Sequence, residues 1–341
     1  MKNRLTILDV AREAGVSKTA VSFAFNSPQR LAAATLKKIL AIAETLGYVP
    51  DPTARRLARR SSGNLGVLIP QTLPEAFVHP HFQEMFQGIG EFCERREFSL
   101  TLIPPLQGCL LKAVSNAAVD GVITLGFTPT DTFLGLMEKR SLPLVTVDSR
   151  IDSAIPSVTF EDFLASRDLL RQVLGRGYRN LHFLTFSTAP VEVRGNAGSR
   201  SLERRLRGFR DALEELTESV FVSYGSSRVS SASAYASLMS QSWQTGLPEV
   251  IVCCSDAQAA GAYAFAEKKG LRIPEDLAVT GFDGSQSLSH LRPQLTTVRQ
   301  SGFTKGKLAC ELMEEQWGDR KNVRHLVVKA RFVAGMSLAQ N

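Results

Sequence analysis

The amino-acid sequence predicts an α/β protein with an N-terminal three-helix domain, which contains a helix-turn-helix, and a two-lobed core of doubly wound parallel sheets. Three observations lead to this prediction. Apolar runs such as LGVLIP at 65–70 alternate with helical stretches, a pattern typical of parallel strands buried on both faces. The alternation occurs in two successive series, which indicates two similar lobes. Residues 1–49, by contrast, contain only helical patterns.

The stretch 6–26, TILDVAREAGVSKTAVSFAFN, has the pattern of two short helices joined by a tight turn. Thr6 can cap the first helix, and Asp9 supplies the acidic partner of a capping box. Gly15 can end that helix in the left-handed conformation, and Ser17 can cap the next one. The pattern predicts a helix-turn-helix, whose second helix fits a DNA major groove, although any small helical hairpin can show the same periodicity.

Positive charge is concentrated near the N-terminus. Residues 1–62 contain 11 Lys and Arg against 4 Asp and Glu, and the remaining residues carry equal numbers of each sign. The formal net charge of +7 therefore resides in the first 62 residues. This asymmetry indicates a polyanion as partner, with a merely solubilising basic face as the alternative.

A third amphipathic helix is predicted at 32–46, where Gly47 ends it. The following stretch, DPTARRLARRSSGN, has Asp51 as a candidate cap and four arginines. It is too short to remain helical alone, so we expect it to order only against DNA or a second chain, with a flexible basic linker as the alternative.

These patterns divide the chain into a helix-turn-helix headpiece, a hinge and a core with two lobes. The predicted boundaries are 1–49 for the headpiece, 50–62 for the hinge, 63–341 for the core, about 63–156 plus 292–322 for the first lobe, and about 157–291 plus 323–341 for the second.

The five cysteines are scattered and odd in number, with no C-x-x-C pair and no histidine cluster. The sequence therefore predicts neither a disulfide framework nor a metal site, and no cofactor. The N-terminus has no apolar signal core, and no run reaches the roughly 18 residues that span a bilayer. We therefore expect a cytoplasmic protein without a membrane partner.

Three acidic residues follow predicted strands of the core. In open α/β sheets, ligands bind outside the carboxyl ends of the strands, so Asp148, Asp256 and Asp283 are expected to line a cleft. Asp256, directly before a helix, is equally well explained as a cap. No G-x-G-x-x-G, Walker A, G-x-S-x-G or H-E-x-x-H motif occurs, so no catalytic residues are predicted and an enzyme is disfavoured.

Over essentially its whole length, the chain resembles the LacI/GalR family of bacterial transcription regulators. TILDVAREAGVSKTAVSFAFN resembles the headpiece signature and LGYVPDPTARRLARR the hinge, while VDGVITL, RLRGFRDAL, LRIPEDLAVTGFDG and QLTTVRQ resemble landmarks of the effector domain. The resemblance implies a core like that of periplasmic sugar-binding proteins and a homodimer on near-palindromic double-stranded DNA. It further implies a repressor whose operator affinity is controlled by a small molecule.

The resemblance also implies DNA-binding residues. Lys18 and Thr19 are expected at base edges. Leu57 with Ala54 is expected to insert into the minor groove, with one turn of a packing helix as the alternative. Phe23 stands where the family usually has arginine, and we expect it to pack inward, with a thymine methyl contact as the alternative. The full set of implied DNA contacts is Thr6, Ser17, Lys18, Thr19, Ala20, Ser22, Asn26, Arg30, Ala54, Arg55 and Leu57.

For the effector, the resemblance implies a site lined by Phe82, Asp148, Phe163, Arg205, Asp256 and Asp283. Carboxylates accept hydrogen bonds from hydroxyl pairs, arginine donates through a planar fork and an aromatic ring stacks on an apolar face, so a sugar is expected. EDF at 161–163 replaces the family's usual DNY, and Ser255 stands where asparagine is common. Because of these departures, a purine is the alternative ligand. The alternatives are an α/β enzyme acting on a sugar or nucleotide, and a binding protein without DNA function.

Overall fold

The computed structural model describes residues 5–50, 61–149, 154–186, 199–243 and 246–339. The chain forms two compact units, Met1–Gly63 and Asn64–Asn341. The predicted hinge residues Ala54, Arg55 and Leu57 lie outside the described residues. The predicted α/β class with a helix-turn-helix domain is confirmed by the elements below.

The N-terminal unit consists of three helices around a small core. These are α1 (Ile7–Ala14), α2 (Lys18–Asn26) and α3 (Ala33–Leu46), with a 3-10 turn at Pro28–Arg30. The predicted capping box is present, since the backbone N–H and hydroxyl of Thr6 donate to Asp9 at 2.9 and 2.7 Å. Gly15 is left-handed, with φ 62°, and Ser17 Oγ accepts from Ala20 N at 3.1 Å. The predicted helix-turn-helix is confirmed.

The first lobe of the second unit is built on a six-stranded parallel sheet of order β11-β5-β4-β3-β1-β2. Its strands are β1 (Asn64–Leu68), β2 (Ser99–Ile103), β3 (Gly121–Leu125), β4 (Leu144–Val147), β5 (Ser157–Phe160) and β11 (His325–Val328). Its helices are α4 (Leu73–Val78), α5 (Pro80–Arg96), α6 (Leu110–Asn116), α7 (Asp131–Lys139) and α12 (Gly302–Gly318).

Strands β5 and β11 lie in a different lobe from the one expected from the sequence. The predicted boundaries placed 157–160 and 325–328 in the second lobe, but β5 pairs with β4 and β11 pairs with β5. An apolar run shows that a strand is buried without specifying its sheet, because sheet membership depends on pairing with distant strands.

The second lobe contains a four-stranded parallel sheet of order β7-β6-β8-β9. Its strands are β6 (Asn180–Phe186), β7 (Phe221–Ser227), β8 (Val250–Cys253) and β9 (Ala278–Thr280). Its helices are α8 (Asp162–Leu174), α9 (Arg200–Glu214), α10 (Ser231–Ser240) and α11 (Asp256–Lys269), with a 3-10 turn at Gln286–Leu288. Strand β10 (Thr297–Arg299) pairs antiparallel with β12 (Arg331–Val333) where the chain passes between the lobes.

Close helix packing in the first lobe positions part of the site. Helix α5 meets α12 at Gly88 and Gly306, where an added Cβ would collide with the backbone oxygens of Phe303 and Met85 respectively. This approach brings the start of α5 beside the first turn of α12.

Cys253 and Cys254 are fully buried in β8 and just after it, as expected for small buried residues. Within the described ranges, no helix is long and apolar enough to cross a membrane.

Candidate functional site

The second helix of the headpiece presents a basic, polar face. Ser17, Lys18 and Thr19 are exposed at its start, while Ala20 and Ser22 are half-buried. Val21 and Ala24 point into the core of the unit. The sequence of α2 contains no acidic residue. This face can therefore approach phosphates without like-charge repulsion, and its hydroxyl and ammonium groups can reach base edges.

Phe23 does not pack inward as expected. Its ring is half-buried, and the guanidinium of Arg30 lies over it, 4.8 Å from the ring centroid. Phe25 instead packs against the core, with its ring 5.7 Å from that of Tyr48. The phenylalanine at position 23 thus holds the exposed side chain of Arg30 by a cation–π contact.

The remaining described headpiece residues of the predicted set lie before α1 and at the end of α2. Thr6 is exposed at the start of α1, and Asn26 ends α2, with its Nδ2 3.3 Å from Ser22 Oγ.

In the core, four of the predicted effector residues bury polar groups where the two lobes meet. Asp148 follows β4 of the first lobe, while Arg205 on α9, Asp256 on α11 and Asp283 after β9 belong to the second. All four are buried. Phe82 on α5 is also buried, and its ring stacks on that of His79. Arg205 and Asp148 both act electrostatically on His79, so the structure brings residues from both lobes together.

Arg205 is the centre of the second-lobe part. Its Nε donates to Asp162 Oδ1 at 2.9 Å, and its Nη1 donates to the carbonyl of Cys254 at 2.6 Å. Asp283 Oδ1 lies 3.7 Å from Nη1, and the ring of Phe282 lies under the guanidinium, 3.8 Å away. Asp162 was not among the predicted residues; the sequence signal nearest to it was the departure of EDF at 161–163 from the family pattern.

Asp148 is held ionised in the first lobe. Burial opposes its charge, but the ammonium of Lys305 and the nearby ring of His81 hold the pKa of Asp148 well below its usual range. Lys305 donates to Asp148 Oδ1, and His81 Nε2 lies 3.7 Å from Asp148 Oδ2. Neither Lys305 nor His81 was predicted, because nothing local in a helical pattern distinguishes a buried charged residue from a solvated one.

Asp256 and Asp283 are harder to ionise. Burial raises the pKa of Asp283 to about 7, against the opposing effect of Arg205. Burial also raises the pKa of Asp256 to about 6, against hydrogen bonds from Thr297 and from the Ser285 backbone. Thr297 Oγ1 donates to Asp256 Oδ1 at 2.6 Å, and Ser285 N donates to Oδ2 at 2.7 Å. Asp256 thus ties together segments of its own lobe.

Two histidines face this cluster as neutral imidazoles. Burial lowers the pKa of His79 to about 3 and that of His81 to about 4. The ring of His79 stacks on Phe82, with centroids 4.5 Å apart. Among the described residues, His79 Nδ1, His81 Nδ1 and Asp162 Oδ2 have no hydrogen-bond partner. A hydroxyl group, which both donates and accepts, can complement each of these atoms.

Phe163 points away from the cluster. Its half-buried ring lies 5.6 Å from the guanidinium of Arg167 and 5.9 Å from that of Arg207. Successive side chains on an α-helix are rotated by about 100°, so Asp162 and Phe163 cannot both face Arg205. The structure therefore places Phe163 outside the group of buried residues.

A helix-turn-helix unit, whose second helix fits a DNA major groove, precedes a two-lobed α/β core in the same chain, and this combination indicates a DNA-binding regulator. Residues 6–51 match the bacterial regulatory proteins of the lacI family, and residues 170–338 match the periplasmic binding protein-like domain. The chain belongs to the LacI family and is a DNA-binding transcriptional regulator.

Two relatives agree with this assignment. The chain is 32% identical over 335 residues to the HTH-type transcriptional regulator Rv3575c of Mycobacterium tuberculosis, with 92% of this chain and 91% of the relative covered. It is 27% identical to the HTH-type transcriptional repressor PurR of Aliivibrio fischeri, with 94% of each covered.

Two solved structures share the fold. The lac repressor dimer bound to operator and the anti-inducer ONPF is 22% identical, with a TM-score of 0.80 and coverage of 99% of this chain and 100% of that one. The complex of the transcriptional regulator CelR with cellobiose is 21% identical, with a TM-score of 0.68 and coverage of 98% and 100%.

Proposed function

We propose that the protein is a homodimeric repressor whose affinity for a near-palindromic operator is set by a small polyhydroxyl effector, a sugar or sugar derivative, bound between the two lobes. The observation that carries the proposal is the burial of Asp148 of the first lobe together with Arg205 and Asp283 of the second where the lobes meet. A ligand that contacts both lobes can favour one arrangement of them, which is the requirement for allosteric control.

The chemistry of the cluster favours hydroxyl groups. His79 Nδ1, His81 Nδ1 and Asp162 Oδ2 are polar atoms without partners among the described residues, and hydroxyls can serve all three. We assign Asp256 a positioning role within this site, since groups of the chain already bond both of its carboxylate oxygens. Phe163 is assigned an outer position, because its ring faces Arg167 and Arg207.

A purine is the second candidate effector. The stacked rings of His79 and Phe82 offer a flat aromatic surface to a planar base, and one relative is named as the repressor PurR. Thermal unfolding with ribose, cellobiose, hypoxanthine and guanine as probes separates the two ligand classes. Stabilisation by a purine base alone would replace the sugar proposal.

For DNA, we propose that α2 reads base edges through Lys18 and Thr19, with Ser17, Ala20 and Ser22 beside them and Thr6, Asn26 and Arg30 at the backbone. Exposure of Lys18 and Thr19 and the lack of acidic residues on α2 support this assignment. The roles of Ala54, Arg55 and Leu57 in the hinge rest on the sequence resemblance. Because DNA is the target and the relatives are bacterial regulators, we propose a cytoplasmic location and no enzymatic activity.

Selection of bound genomic fragments tests the DNA-binding function. The wild-type protein should enrich one near-palindromic motif at moderate salt, and Lys18→Ala should relax the preference at one base in each half-site, at a cost of about 1–3 kcal/mol. Lys38→Ala, an exposed lysine on α3, is the matched control and should leave the motif unchanged. Recovery of no motif by the wild-type protein would refute operator recognition.

A further inference from the structure

A buried lysine contacts several polar groups beside the cleft. The side chain of Lys305 is 0% exposed, and its ammonium donates to Asp148 and, at 2.5 Å, to Gln300 Oε1. His81 Nε2 lies 3.5 Å from the same nitrogen, and the ring of Phe160 has its centroid 5.1 Å away. An ammonium has three donor hydrogens, and Asp148 and Gln300 accept two of them.

Gln300 extends this set of hydrogen bonds into the second lobe. Its Nε2 donates to Asp283 Oδ1 at 2.5 Å, and its backbone N–H donates to Asp283 O at 2.9 Å. Asp283 Oδ1 is in turn 3.7 Å from Arg205 Nη1. Asp148 and Lys305 belong to the first lobe, whereas Asp283 and Arg205 belong to the second. A continuous buried run of polar contacts therefore crosses between the lobes.

Two contacts nearer the surface also join the lobes. Arg228 Nη1 lies 2.6 Å from Glu75 Oε1, and Gln286 N donates to Glu84 Oε1 at 3.2 Å. Arg228 and Glu75 are partly exposed, so water and salt screen their attraction. The contacts of Lys305 and Gln300 are shielded from water, so salt screens them much less.

We propose that Lys305 and Gln300 form an internal brace between the two lobes, in which Lys305 is the positioning residue that fixes Asp148 relative to Asp283. A buried ammonium has given up its hydration and depends on all of its acceptors, so moving Gln300 away with the second lobe is unfavourable. The brace concerns the arrangement of the lobes, and it goes beyond the proposed effector and operator binding.

The simpler role for Lys305 is that of a counter-ion to Asp148 within the first lobe. In that case Gln300 would add nothing to the junction. The two roles differ in the expected effect on Asp283, which lies in the second lobe and is linked to Lys305 through Gln300.

Hydrogen–deuterium exchange of the full-length protein, without ligand or DNA, measures how readily backbone hydrogen bonds open at the junction between the lobes. The amide of Asp283 donates to Val298 O and that of Gln300 to Asp283 O, both at 2.9 Å. Lys305→Met removes the ammonium and keeps a long side chain, and should speed exchange of both amides by about tenfold or more. Lys307→Met on the same helix, a partly exposed residue 3.3 Å from Glu91, is the matched control and should leave both rates unchanged.

The double variant Lys305→Met with Asp148→Asn separates the two roles. It leaves no unpaired carboxylate beside the lost ammonium, but it also lacks the link to Gln300. The brace predicts that the amides of Asp283 and Gln300 still exchange about tenfold faster than in the wild type. Return of both rates to wild-type values would overturn the brace and make Lys305 a counter-ion only.

Gln300→Leu tests the same link if Lys305→Met does not fold. It keeps the pair of Lys305 and Asp148 and should speed exchange at Asp283 while leaving the amide of Asp148, which donates to Val158 O at 2.8 Å, unchanged. An unchanged rate at Asp283 would refute the brace. These rates do not depend on DNA, so failure of operator recognition and failure of the brace are distinguishable.

Discussion

The guanidinium of Arg205 lies 3.8 Å above the ring of Phe282 while its Nε donates to Asp162, so one buried cation is held by both a ring face and a carboxylate. A planar guanidinium can stack and donate in several directions at once, whereas an ammonium cannot reproduce that geometry. A lysine at this position could therefore not reproduce the contacts of Arg205.

Arg205→Lys should therefore abolish the effector response even though the charge is kept. Loss of a hydrogen bond to a charged group should also lower the free energy of unfolding by about 1.5–3 kcal/mol. The measurement is chemical unfolding together with effector titration of the DNA complex. Arg210→Lys, an exposed residue of the same helix, should change neither quantity. A wild-type response in Arg205→Lys would remove Arg205 from the proposed site.

Asp283 should make stability fall as the pH rises. Because burial raises its pKa to about 7 in the folded protein, against about 3.9 for an unfolded aspartate, the folded state binds the proton more tightly. The stability it contributes is present below about pH 4 and is lost as the pH rises towards 7, by at most about 1.4 kcal/mol per pH unit.

The variant Asp283→Asn should lack this fall in stability with rising pH. His79 and His81 act in the opposite direction, because their lowered pKa values make stability rise with pH between about 4 and 6.5. The informative quantity is therefore the difference in unfolding free energy between variant and wild type, which should grow in favour of the variant from pH 4 to pH 7. A difference independent of pH would contradict the raised pKa of Asp283.

Phe23→Arg should strengthen DNA binding and make it more sensitive to salt. An arginine here can add a phosphate contact, which steepens the slope of log affinity against log salt concentration by about 1. Anisotropy titrations at several salt concentrations measure that slope. Phe23→Leu removes the ring over which Arg30 lies but adds no charge, so its slope should match the wild type. Equal slopes for Phe23→Arg and the wild type would show that this position does not reach a phosphate.

Leu57→Ala should weaken operator binding selectively. The sequence resemblance makes Leu57 a minor-groove wedge, and losing a wedge removes the contacts that a kinked duplex permits, at a cost on the order of a few kcal/mol. Binding to nonspecific DNA should not change, since phosphate contacts provide it. Leu40→Ala, an exposed leucine of α3, serves as the control. Equal losses on operator and nonspecific DNA would reject the wedge.

Gly208→Ala should destabilise the second lobe. An added Cβ would collide with Phe163 O and Ser166 Oγ where α8 and α9 pack together, so the helices would have to move apart. We expect a cost of roughly 1–3 kcal/mol in the free energy of unfolding. Gly135→Ala on α7 is a matched control with open space around it, and it should be neutral or stabilising by up to about 1 kcal/mol. Equal effects of the two substitutions would contradict the packing argument.

The sequence by itself determined the features that depend on near neighbours along the chain. The capping box of Thr6 and Asp9, the left-handed turn at Gly15 and the cap at Ser17 all join residues within three or four positions, so their chemistry can be read locally. Alternating strands and helices gave the α/β class for the same reason. Asp256 and Asp283 could also be expected near one another, because the parallel strands β8 and β9 that precede them share one carboxyl edge.

Only the tertiary structure decided which of these groups meet and which sheet each strand joins. Lys305 and Asp148 are separated by 157 positions, and a lysine on a helix is ordinarily solvated, so no local pattern predicts their buried pair. The rotation of α8 selects Asp162 over Phe163 for Arg205, and pairing with β4 places β5 in the first lobe. These outcomes depend on long-range packing, in which a residue's surroundings are set by segments that its own sequence neighbourhood does not contain.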